Sequence, residues 1–333
     1  MAALGTAQIN KLNTDQMGAL TASQIKAITT DGLVALGSDQ IAAISSAGIT
    51  GLTTDQVVAL TTTQMDKLTT GQMAALTSAQ VGALETRDLN KLTSDQVAAI
   101  ATASVSGFTT AQISKLGTVQ LSSLTTTQTA ALNTANIAAL TTDQVIALTT
   151  AQIANLTTGQ VKALTAADVA KLTTDQVQAL TTAGVVALTT EQFGSITSAQ
   201  LAVMSTAQIA AIETIDFANL TTTAIAALTV DQAAKITTDQ VVALTTDQAA
   251  KLSTGALSAL SSAQIGAFQT SDLTQVSTAA IAAITTSAIA GLTAPQISKL
   301  TTAQVAGMTT DQIVKLSTDQ VVALTTAQAA ALR

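Results

Sequence analysis

The chain has no Cys, His, Trp or Tyr, one proline, and only four phenylalanines in 333 residues. Without Cys there are no disulfides, thiolate metal sites or thiol nucleophiles, and without His the usual imidazole base and metal ligand are missing. Charged residues make up 10%, and 20 acids against 13 bases leave a net charge of −7, which argues against a phosphate-binding surface and against nucleic acid as partner. Apolar residues reach 47%, which argues against disorder, yet aromatics are 1%, so any core must be Leu, Ile, Val and Ala. No apolar run approaches the 18 or so residues of a membrane span, because Thr, Ser or Gln interrupts at short intervals. The start, Met1-Ala2-Ala3-Leu4, has no basic segment of the kind that opens a signal peptide.

What is there is an eight-residue repeat without insertion or deletion. An aliphatic or aromatic anchor falls at Leu4, Leu12, Leu20 and every eighth position to Leu332, 42 anchors in all, of which 30 are Leu and two are Phe108 and Phe268. Strict phase means equivalent units in an array, so 1–333 is expected to be one elongated repeat domain of about 42 octads. Arg333 directly follows an anchor, and the reading is a segment of a longer array.

The octad Leu52-Thr53-Thr54-Asp55-Gln56-Val57-Val58-Ala59 carries a complete helix-start signature. Thr53 serves as N-cap, Gln56 is the N3 residue of a capping box, and Leu52 with Val57 forms a hydrophobic staple. Gln stands four after the anchor in 28 of 41 octads. Charge placement agrees, since a helix favours acids in its first turn and bases in its last. Thirteen of the 20 acids lie three after an anchor, and nine lysines lie seven after one. Asp231 with Lys235 and Asp247 with Lys251 are thereby expected to form i,i+4 pairs. Pro295 falls in a first helical turn, where its missing N–H is harmless, and the 17 glycines are scattered over several columns, so no corner demands positive φ.

These features predict an all-α fold, an α-solenoid of very short helices with one per octad. A β-solenoid is the alternative, since Thr, Val and Ile suit strands. It would put Leu52 and Val57 on opposite faces and leaves the charge polarity unexplained. A continuous helix fails because each anchor would be rotated by about 80° from the last. Nothing above the eight, neither 16 nor 24, alternates regularly, so the number of octads per turn stays open.

The search for chemistry assigns no catalytic, cofactor-binding or metal residues, and the expectation is a non-enzyme without cofactor. Hydroxyls are abundant, but nothing is present to activate them, and the Lys columns lie at exposed helix ends. The sharpest metal candidate is the row Asp231, Asp239, Asp247, whose simpler role is helix-dipole compensation. Gly32 and Gly48 replace Gln singly and build no phosphate loop, and Met17, Met65, Met73, Met204 and Met308 occupy core columns. Regular Thr rows suggest ice binding as a lesser reading, although one Thr of each pair already serves as cap.

The fragment Leu52-Thr53-Thr54-Asp55-Gln56-Val57-Val58-Ala59-Leu60 resembles the opening helix of TAL-effector DNA-binding repeats, but it lacks their base-reading loop and second helix, so a DNA function is not implied. Over its full length the motif L-T-T-D/A-Q-V/I-x-A is similar to the Thr/Ala/Gln-rich tracts of very large, adhesin-like bacterial surface and secreted proteins. That resemblance implies an extracellular or cell-surface stalk, filament or surface layer, with end-to-end or lateral self-association and no membrane span. A solenoid binding module for protein or glycan is the alternative.

Overall fold

The computed structural model describes residues 5–332 and contains 41 short α-helices and no strand among them. Leu4, the first anchor, the Met1-Ala2-Ala3 start and Arg333 lie outside the described residues. The fold is an α-solenoid, one helix to an octad, and the β-solenoid alternative is excluded for the described residues.

Where Thr, Ser or Asn stands at the cap, the helix starts as its sequence dictates. Thr53 is extended (φ −72°, ψ 161°), its Oγ1 accepts from the Gln56 amide N–H at 3.2 Å, and the Gln56 Oε1 accepts from the Thr53 N–H at 2.7 Å. The helix Thr54–Ala59 then ends because Leu60 also turns extended (φ −55°, ψ 133°) and Thr61 begins the next cap. Two consecutive extended residues thus make each such corner, and no described residue has positive φ. Scattered glycines follow directly from this, since the corner never visits the region that favours them.

A helix of four to six residues does not survive alone in water, so packing must hold it. The chain divides into two compact units, 1–164 and 165–333. In the first, Thr30–Val34 stacks on Thr54–Ala59, which stacks on Ser78–Ala83. In the second, Thr190–Gly194 stacks on Thr214–Asn219, which stacks on Thr238–Ala243. In both units the stacked partner lies three octads away, so three octads make one turn. Anchors and the aliphatic five residues later fill the inside, as Leu60 and Met65 do at 1% exposure each. All four phenylalanines, Phe108, Phe193, Phe217 and Phe268, are buried in these same two columns. The methionines Met17, Met65, Met73, Met204 and Met308 are buried there too, as core.

The pairs Asp231 with Lys235 and Asp247 with Lys251 do not form. Their helices, Val230–Ala233 and Thr246–Ala249, are only four residues long, so each lysine falls beyond the C-cap and off the helical ladder. The ion pairs among the described residues are those of Arg87, with Glu85 at 3.1 Å and with Asp88 at 3.6 Å.

Candidate functional site: the seam between turns

The Gln column, which the sequence assigns to capping, is also what joins one turn to the next. The Gln56 Nε2 donates to the carbonyl of Ile28 at 2.7 Å and to that of Ile25 at 3.1 Å. The bond to Ile28 steps back three and a half octads, one turn plus the half octad that separates an anchor from its Gln. In the first unit Gln144 repeats it on Leu116 at 2.6 Å and Ile113 at 2.7 Å. In the second, Gln240 does so on Ile212 and Ile209, both at 2.8 Å, and Gln328 on Leu300 at 2.6 Å. One amide therefore closes a cap with its oxygen and satisfies carbonyls of the preceding turn with its nitrogen. Those carbonyls sit at the C-terminal corner, where no intrahelical donor remains. The side chains of Gln56, Gln144, Gln240 and Gln328 are buried, so these bonds are shielded from water, and losing one would leave a carbonyl unpaired at about 1–3 kcal/mol.

Shorter residues in the same column adapt. The Ser104 Oγ donates to the Leu76 carbonyl at 2.6 Å, and the Asn136 Nδ2 to that of Phe108 at 3.0 Å. Asp cannot donate to a carbonyl and instead accepts from a Thr of the stacked helix: Thr62 on Asp88 at 2.6 Å, Thr190 on Asp216 at 2.7 Å, Thr246 on Asp272 at 2.8 Å. The remaining Asp272 Oδ2 is buried without a partner.

The metal candidate separates. Asp231, Asp239 and Asp247 stand on three successive helices, each stacked on a different partner, and all three are exposed. Asp239 lines a shallow depression of about 370 Å³ with Thr214, Val242 and Ala243, where it is the one carboxylate in the lining. No group of three metal-ligating side chains is found among the described residues. Gly32 and Gly48 each sit on the N3 position of a helix, where the cap hydroxyls of Thr29 and Ser45 accept from their N–H groups. The cap Thr hydroxyls are likewise engaged along the array, as at Thr149, which accepts from the Gln152 N–H at 3.2 Å.

The description "ALTTAQ repeat" matches residues 1–30, 33–70, 65–102, 130–158, 155–182, 209–246, 265–302 and 297–333, most of the chain. The chain belongs to the ALTTAQ-repeat family. The name restates the octad as it stands at Ala147-Leu148-Thr149-Thr150-Ala151-Gln152, and the Gln that closes it is the residue that bridges ALTTAQ turns. No curated protein matches the sequence. Among solved structures, a leucine-rich repeat-containing protein, LegL7, from Legionella pneumophila is 11% identical over 72% of this chain and 78% of that one, with a TM-score of 0.22. No helix among the described residues is long and apolar enough to cross a membrane.

The octad displays the cap role of Gln but not its nitrogen's partner. That bond reaches across a whole turn, a distance with meaning only when the turn length is known. A test of each polar column at multiples of eight would have exposed one consequence of the same turn, the lysines at positions 67, 91 and 115, which recur three octads apart.

Proposed function

We propose that the chain is a structural array, an extracellular or cell-surface spacer or filament component that associates with further copies of itself and catalyses nothing. The observation that carries this reading is the two-sided seam. Each turn presents amide donors on one side and corner carbonyls on the other, so wherever such a stack stops, the exposed faces are complementary. The absence of His, Cys and Tyr from the whole sequence supports a non-enzymatic role, and the likeness to adhesin-type tracts supports the surface location.

The test is light scattering and negative-stain electron microscopy of the 333-residue polypeptide over a wide concentration range. Particles that lengthen with concentration in one dimension are expected. Discrete particles of constant size throughout would overturn self-association, and failure of antibodies to label intact producing cells would overturn the surface location.

A further inference from the structure

Lys67, Lys91 and Lys115 stand at the ends of three helices, Thr62–Asp66, Thr86–Leu89 and Thr110–Lys115, that stack directly on one another in the first unit. The three follow one another at three-octad intervals, one turn each, and no other lysine of the chain has a second lysine at that interval. All are exposed, and none is within ion-pair distance of an acid. Neighbouring turns lie roughly 8–10 Å apart, the usual distance between packed helices, so the ammonium groups form a ladder along one edge. In a chain of net charge −7 this is a local reversal of sign.

The ladder is stiffened by side chains of the helices and corners that carry it. Thr62 is tied to the buried Asp88, and Asn90 both donates to the Lys115 carbonyl at 2.8 Å and accepts from the Gly117 N–H at 2.6 Å. Beside the Lys91 rung lies a depression of about 270 Å³ lined by Thr62, Thr63, Asp66 and Lys91. Asp66 is the one acid of the chain outside the first-turn and cap columns.

From this arrangement we infer that the edge binds an acidic polysaccharide strand, its carboxylates on the lysine rungs and its hydroxyls against Asp66 and the two threonines. Hydroxyl-rich chains need acceptors beside the cations, and Asp66 supplies one that a phosphate backbone would be repelled by. Nucleic acid is disfavoured further because every Phe is buried and no aromatic face is left for base stacking. The inference does not depend on self-association.

The experiment measures binding of the full chain to immobilised polygalacturonate at low salt by biolayer interferometry, with neutral dextran, poly-glutamate and duplex DNA as competitors. The triple variant K67Q/K91Q/K115Q is expected to weaken binding about tenfold or more, while K235Q/K251Q/K299Q, with the same change in net charge, moves it less than about twofold. D66A decides between recognition and plain charge attraction, because losing an acceptor weakens binding whereas losing a negative charge alone strengthens it. All these residues are exposed, and unchanged circular dichroism and melting establish that each variant is folded. No binding of the unaltered chain, equal loss in both triples, tighter binding by D66A, or poly-glutamate or DNA competing as well as free polygalacturonate would overturn the proposal.

Discussion

Two seams of the second unit are held in different ways. Where Val230–Ala233, Thr238–Ala243 and Thr246–Ala249 meet the preceding turn, Gln232, Gln240 and Gln248 donate to Met204, Ile212 and Leu220, at 2.7, 2.8 and 2.7 Å. Further along, Thr270–Leu273, Thr278–Ala283 and Thr286–Ile289 carry Asp272, Ala280 and Ala288 in that column, and the one amide across the seam is the exposed side chain of the cap residue Gln269, which donates to the Val242 carbonyl at 2.9 Å. The helices stack all the same. Part of the compensation is proximity: a side chain on Gly291 would run into the Ser262 carbonyl, so backbone meets backbone there. Gly107 against Ser78 and Gly51 against Ala22 make the same close approach. All three glycines follow four-residue helices whose N3 residue is short: Ala288, Ser104 and Gly48. Some stretches of seam therefore stand at the distance a Gln spans, some are bridged by a Thr on an Asp, and some close until the backbones touch. Apolar stacking forms the turn, and the amide or the glycine sets its spacing.

Removing the three Gln amides should have the largest effect. In Q232A/Q240A/Q248A each substitution leaves buried carbonyls without a donor, about 1–3 kcal/mol apiece, with some coupling because the three share one seam. Denaturant unfolding should show the loss, and hydrogen exchange should show amides around residues 201–252 opening first. Melting and exchange like those of the parent would mean that the amides only decorate a seam that packing already fixes.

The glycine-closed seam breaks by the opposite means. Gly291→Ala forces the Ser262 carbonyl away and should cost about 1–3 kcal/mol as overpacking, although alanine is the better helix and corner former. At Gly159, whose Cβ would meet only the Thr134 methyl group at 3.6 Å, the same change should be neutral or mildly stabilising. Equal shifts in denaturation midpoint at the two sites would contradict the account of close approach.

Much of the local structure is legible in one octad, and much of the assembly is not. Thr53 and Gln56 announce a capped start, Leu52 and Val57 the buried face, and the lack of a glycine column a corner without positive φ. These are short-range facts, fixed by side chains within one helical turn. Three octads per turn is a packing solution that identical units cannot advertise, so the reach of Gln56 to Ile28 stays hidden until the turn closes, and the 24-residue recurrence of Lys67 and Lys91 gains its meaning only then. The same ignorance makes Asp231, Asp239 and Asp247 look like neighbours when they stand on helices stacked in different columns, and Asp231 with Lys235 like an ion pair on a helix that ends too soon.

The finest test is whether a closed seam can be given back its missing donor. In the Gly107 seam the N3 residue Ser104 reaches the Leu76 carbonyl directly at 2.6 Å, because the turns are close enough for a hydroxyl. Ala288 holds the matching place in the Gly291 seam, and the equivalent carbonyl of the preceding turn belongs to Leu260. Ala288→Ser should therefore stabilise the second unit by about 1 kcal/mol, the net worth of one hydrogen bond. Ala288→Gln should do the reverse, since the longer side chain needs a spacing that Gly291 and Ser262 have closed. If glutamine stabilised and serine did not, the two seam types would be one seam with interchangeable fillings, and the link between short N3 residues and close glycine contacts would be coincidence.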